Sequence, residues 1–159
     1  MTDPDVATSA AIARIIDEHA VQAVLLRYAT ALDTRDWGRL RSCFVPDVVA
    51  TYDSIGDLQG YEAVERLCRT ALEPLAATQH VVSNVEVSID GDRAAARCNL
   101  QSTHVRTTPS GDNFVIAGVY TDELIRTPDG WRIARRSLRR VWTTGRLHDP
   151  AAALRGDDR

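Results

Sequence analysis

The order of periodicities along the chain predicts an α+β fold: a cone-shaped α+β barrel whose N-terminal helices pack inside a curved, mostly antiparallel sheet and enclose a pocket. Three observations carry this. Apolar residues recur at helical spacing through the first third of the 159 residues, the period falls to two after Pro74, and three Asp/Gly-bearing turns then separate four long alternating stretches. A single domain is expected over residues 9–145, between a polar, frayed N-terminus (1–8) and a small, polar, flexible tail (146–159).

The first helix rests on Ile12, Ile16, Ala20, Ala23, Val24, Tyr28 and Ala31, which form one apolar stripe with no Gly or Pro to interrupt it. Thr8 or Ser9 can cap its start. Asp33-Thr34-Arg35-Asp36 is a polar break, and Trp37 to Phe44 reads as a short second helix stopped before Pro46. Val48 to Tyr52 is a first strand, Ser54 to Gly60 a turn or loop, and Gly60 to Leu72 a third helix ended by Pro74. His80 to Ile89, Arg93 to about Thr107, Phe114 to Arg126 and Trp131 to about Thr143 are then strands of an antiparallel meander. Asp90-Gly91-Asp92, Pro109-Ser110-Gly111-Asp112 and Pro128-Asp129-Gly130 turn them.

Alternation assigns the faces of these strands. Ala94, Ala96, Cys98, Leu100, Ser102 and His104 share the more apolar side of their strand, and Phe114, Ile116, Gly118, Tyr120, Asp122 and Leu124 one side of the next. Val115, Ala117, Val119 and Ile125 make the other side of that strand apolar as well, which suits a sheet covered by helices on one face and by a second subunit on the other. Strict alternation puts His80 with Val82, Asn84, Glu86 and Ser88, a polar set that could line a pocket or face solvent. The last strand carries Arg132, Arg135, Arg136, Arg139 and Arg140; most are expected outside, with Arg140, in step with Leu138 and Trp142, the one turned inward to bind a carboxylate or other anion.

Bulk properties narrow the classes. A net charge of −3 and a pI near 5.8 offer no basic field for nucleic acid or an anionic membrane surface. No apolar run is long enough to span a bilayer, and the acidic start lacks the features of a signal peptide, so a cytoplasmic address is expected. Cys43, Cys68 and Cys98 are odd in number and widely spaced, as buried small hydrophobes are, with no zinc-like Cys pattern.

Tyr28 and Asp33 stand five residues apart at the end of the first helix, roughly 140° round an ideal helix, and converge only if the helix loosens there. With His80 and His104 on strands, they are candidates for an acid/base site. Each has a plainer role when taken singly: Asp33 as an N-cap, the histidines as satisfied structural residues, Tyr28 as core. A zinc site from Asp33, His80 and His104 is a further possibility from the residue types alone.

The segments RYATALDTRDW (27–37), VVATYDS (48–54), ATQHVVS (77–83), LQSTHVR (100–106) and DGWRIARRSLRRVW (129–142) resemble the SnoaL-like branch of the nuclear transport factor 2-like superfamily over about residues 10–145. Within it the nearest patterns are those of scytalone dehydratase, bile acid 7α-dehydratase and hexachlorocyclohexane dehydrochlorinase. The resemblance implies that Asp33 orients His80 as a general base, that Tyr28 matches the tyrosine of the bile acid enzyme, and that Tyr52 and His104 match a strand tyrosine and second histidine of scytalone dehydratase. Leu32 replaces the tyrosine beside that enzyme's aspartate, and Tyr120 its late-strand asparagine. The implied activity is a cofactor-independent, metal-free lyase, a dehydratase-like elimination on a small hydrophobic cyclic, polyketide-like or steroid-like substrate. Catalytic residues would be His80, Asp33 and Tyr28, with Tyr52, His104, Tyr120 and Arg140 binding substrate in a homo-oligomer, trimer or dimer. An isomerase, a polyketide cyclase or a non-catalytic ligand-binding module on the same fold are the alternatives.

Overall fold

The computed structural model of the protein describes residues 4–53, 55–107 and 113–145. Its elements run α1 (Pro4–Thr34), α2 (Trp37–Arg41), β1 (Phe44–Tyr52), β2 (Gly56–Gln59), α3 (Tyr61–Leu72), β3 (Ala77–Asp90), β4 (Arg93–Val105), β5 (Phe114–Thr127) and β6 (Gly130–Thr144). Helices pack against one curved six-stranded sheet in the order β2-β1-β6-β5-β4-β3. The sheet is open rather than closed into a barrel, and it is mixed: β1 runs parallel to β6, while every other pair is antiparallel. The meander predicted for β3–β6 is present, and the interior of the cone lies between it and α1.

Helix α1 begins at Pro4, ahead of the expected cap at Thr8 or Ser9. Proline suits a first helical position because its missing N–H would have no partner there. The predicted stripe divides in two. Val24, Tyr28 and Ala31 turn into the core with Val21, Leu25 and Leu32, whereas Ile12 and Ile16 are more than half exposed, as is Ile15. The division falls at Asp17, which accepts two hydrogen bonds from Arg126 and one from the Trp131 indole; that clamp ties the helix to the β5–β6 hairpin.

Helix α2 is shorter than expected. The side chain of Asp36 caps it by accepting from the Arg39 N–H at 2.9 Å, and Phe44 already pairs with Ile133 of β6. Pro46 therefore lies inside β1, where the pairing with β6 lapses between Phe44 and Val49, a place that needs no donor. The expected loop at 54–60 holds the edge strand β2, paired to β1 from Val49↔Gln59 to Tyr52↔Gly56.

Besides β1, strands β3 and β6 also carry extra residues. On β3 the register slips between Ser83 and Glu86, where Asn84 takes a positive φ of 51°. On β6 it slips at Ala134 and at Val141, against Glu123/Leu124 and Ala117/Gly118. These bulges switch the facing of everything beyond them.

Candidate active site

The bulge at Asn84 settles the facing of His80. Thr78, His80 and Val82 are on the same side as Val85, Val87 and Ile89, because the extra residue reverses the alternation between the two runs. That side is the inner one: Val82, Val85, Val87 and Ile89 pack against the core. Strict alternation had separated these two groups, so the polar set with Asn84, Glu86 and Ser88 is corrected: those three are exposed.

Asp33 lies in the last turn of α1 and does not cap α2, since Asp36 does. Its carboxylate crosses to β3, where it accepts from the Thr78 hydroxyl at 3.1 Å and from the His80 backbone N–H at 2.8 and 3.1 Å. Its Oδ1 is also 2.6 Å from His80 Nδ1. An ionised carboxylate has no proton to give, so Nδ1 is the donor in this contact, and Nε2 is left without a partner among the described residues. Burial alone would raise the Asp33 carboxyl; the hydrogen bonds from His80 and Thr78 overcome it and hold the pKa below the usual carboxylate value. The His80 side chain is 5 % exposed and that of Asp33 24 %.

His104 stands across the strand pair from Thr78, its ring edge-on to that of His80 at 6.0 Å between centroids and stacked on Phe114 at 5.8 Å. Burial, and then the neighbouring His80, push its pKa down to about 4, and its Nδ1 is buried without a partner. His104 is therefore a neutral ring near neutral pH.

Tyr28 does not converge on Asp33. The helix stays regular through Thr34, and the Tyr28 hydroxyl meets that of Tyr120 at 3.3 Å instead. Tyr120 pairs across the sheet with Leu138, which in turn pairs with Tyr52 on β1, so three tyrosines gather on one inner level. Ser102, opposite His80, is four residues along β4 from Cys98, opposite Tyr120, which sets this floor about 13 Å along the strand from the histidines. Burial dominates all three phenols: Tyr28 and Tyr52 are held far above the ordinary value and Tyr120 is pushed up to about 12. Each is a proton-bearing hydroxyl at neutral pH, and that of Tyr52 has no hydrogen-bond partner among the described residues.

The inward arginine is Arg136, which sequence reasoning missed. It is 2 % exposed, donates to both oxygens of Asp122 at 2.7 and 2.6 Å, and lies over the rings of Tyr28 (4.0 Å) and Tyr120 (4.2 Å). Burial works against its charge, and the Asp122 carboxylate more than restores it. Arg140, expected to point inward, is half-buried two positions beyond Leu138; among the described residues no side-chain hydrogen bond fixes it, and its backbone N–H donates to Asp53 at 2.7 Å. The bulge at Ala134 lets Ile133 and Arg136 share one face, and alternation read from the sequence has no way to count it. Asp122 on the apolar side of β5 was the available signal, because a buried carboxylate demands a cation.

None of the predicted residues lines a separate surface cleft of about 490 Å³ bounded by Phe44, Tyr61, Arg41 and Arg132. Among the described residues no group of three or more His, Cys, Asp or Glu is placed to hold a metal ion.

A profile of the SnoaL-like domain matches residues 13–137. The uncharacterized protein Rv2910c of Mycobacterium tuberculosis is 31 % identical over 126 residues, 79 % of this chain and 86 % of that one. Among solved structures, a provisionally named scytalone dehydratase of Novosphingobium aromaticivorans superposes with a TM-score of 0.78 at 21 % identity, covering 84 % of this chain and 90 % of that one. Hexachlorocyclohexane dehydrochlorinase LinA-type3 of Novosphingobium barchaimii gives 0.74 at 21 %, covering 85 % and 93 %.

Proposed function

The chain belongs to the SnoaL-like domain family, and on that premise we propose that it is a cofactor-independent lyase. It carries out a dehydratase-like elimination on a small hydrophobic cyclic compound. The observation that carries this reading is the contact of Asp33 with His80 Nδ1 at 2.6 Å on the inner side of the cone. His80 Nε2 takes a proton α to a carbonyl or beside a leaving group, and Asp33 stabilises the imidazolium that forms. The names of the dehydratase and dehydrochlorinase that share the fold fit this reaction class, since both describe removal of a small molecule.

The Tyr52 hydroxyl is a proton donor for a substrate oxygen or a departing hydroxide, and the neutral His104 ring, bonded to the Phe114 backbone, offers an acceptor at Nδ1 for a substrate hydroxyl. Isomerisation is the second reading, with the paired hydroxyls of Tyr28 and Tyr120, deeper in the cone, as donors to a substrate oxygen that reaches that floor. Arg140 is free to meet a substrate anion near the half-buried end of that face.

Screening hydroxylated cyclic ketones and steroids for loss of water, seen as a new conjugated enone absorbance, tests the proposal. A shifted double bond without loss of water would favour the isomerase. Binding with no turnover, unaffected by His80→Gln, would make the protein a ligand-binding module.

Self-association is proposed on separate grounds. Val81, Gln101, Ala117 and Trp142 form one row across the outer face of the sheet, with Val81 and Trp142 each about half exposed and Val141 beside them. Sedimentation should give an oligomer that Trp142→Glu dissociates; an unchanged mass would show that this face is not the interface.

A further inference from the structure

We infer that Arg35 is the positioning residue of the Asp33–His80 pair, an inference that rests on the functional reading above. Arg35 follows α1 with a positive φ of 52°, a conformation that favours glycine. It closes the helix with both hydrogen bonds of a left-handed stop: Arg35 N–H to the Leu32 carbonyl at 3.2 Å and Asp36 N–H to the Ala31 carbonyl at 2.9 Å. Backbone preference therefore argues for glycine, and the side chain must be what the position uses.

The guanidinium reaches across to the segment that leads into β3. Its Nη2 donates to the Leu72 carbonyl at 3.1 Å and to the Leu75 carbonyl at 2.5 Å. Leu72 ends α3, and Leu75 lies two residues before β3 begins at Ala77. Three residues past Leu75, Thr78 gives its hydroxyl to Asp33, and His80 follows with its N–H and ring. The end of α1 and the entrance of β3 are thus joined twice: Arg35 holds the incoming chain, and Asp33 grips the strand it becomes. Asp33 and Arg35 flank the same helix stop, so the first tie sets the distance that the second one uses.

Arg35→Gly keeps the left-handed turn and removes only the cross-link, while Arg35→Lys leaves one donor group in reach. The test uses the ligand-free protein. In R35G, hydrogen exchange of the His80 amide should accelerate at least about tenfold while mid-sheet amides such as Cys98 and Leu100 keep their protection. The Asp33 carboxyl, followed by NMR, should titrate closer to the ordinary carboxylate range, and R35K should fall between. Turnover of any compound found in the screen should drop roughly 10–100-fold in kcat with KM little changed. Wild-type exchange and titration in R35G would overturn the inference. If R35G does not fold, Arg35→Asn, which tolerates the same backbone, is read in the same way, and failure of both to fold would make Arg35 a general stabiliser and overturn it too. Should the His80 amide and Asp33 loosen while turnover stays high, the positioning stands and the Asp33–His80 base does not.

Discussion

Two carboxylates meet basic partners inside the same cone, and they are built differently. Asp122 and Arg136 are both 1 % exposed at the side chain, joined by two parallel hydrogen bonds and roofed by tyrosine rings. Asp33 and His80 sit nearer the sheet edge, the carboxylate about one-quarter exposed, with one bond to an imidazole ring. Guanidinium holds its proton at any working pH, so the deep pair can stabilise charge but cannot move it. The outer pair has an imidazole in place of the guanidinium, with a ring nitrogen left unused. Access and partner chemistry, rather than the presence of an acid–base contact, separate a group that could react from one that holds the floor in place.

Substitution should pull the two pairs apart. The largest effect is expected for His80→Gln, which should lower turnover by about 10²–10⁴-fold while the melting temperature moves by a few degrees at most; a stable, fully active variant would end the contrast. Asp122→Ala should act the other way, costing about 3–5 kcal/mol in a urea titration because it strands a buried guanidinium. Replacing both partners, Asp122→Leu with Arg136→Met, should recover much of that loss, and a failure to recover would mean the pair also serves the site.

Acid sharpens the comparison. His104 stays neutral in the folded protein down to about pH 4, whereas the unfolded chain takes that proton near the ordinary value of 6.5. The unfolded state then binds more protons across this window, and stability should fall as pH drops from about 6.5 to 4, by up to about 3 kcal/mol. His104→Gln should flatten that part of the curve. The depressed carboxyl of Asp33 contributes stability above its unfolded pKa that is lost only as pH falls through its lower folded value, so Asp33→Asn should alter the more acidic end of a denaturation series. The smallest effect is expected for Tyr52→Phe. Its hydroxyl is buried and unpaired, so stability should change by less than about 1 kcal/mol; a several-fold rise in KM would place that hydroxyl against substrate.

The helices-then-meander order was legible because each change of period is local, and Asp33, His80 and His104 could be singled out by residue type and by resemblance. What could not be read were the places where one residue is added to a strand. Val82 and Val85 face the same way only because of Asn84, and Ile133 and Arg136 only because of Ala134. Asparagine tolerates a positive φ, so Asn84 within a β-rich run was a faint signal, whereas Ala134 offered none. The parallel pairing of β1 with β6 joins residues some ninety positions apart, and nothing local announces it. Ile12 and Ile16 have the right spacing for a core stripe but stand on the N-terminal side of the Asp17 clamp, more than half exposed.

The bulge on β3 also makes residue count as important as residue type. Upstream and downstream halves of that strand are two reading frames joined by a single spacer. Deleting Asn84 would remove no side chain from the interior, yet it would force one half to turn over, carrying either His80 out of the cone or Val85, Val87 and Ile89 into water. Homologues that use a histidine at this strand position should therefore preserve the parity of the interval between it and the hairpin at Gly91, even where every residue within the interval has changed. A gap of one there would mark a protein whose histidine has lost its aspartate.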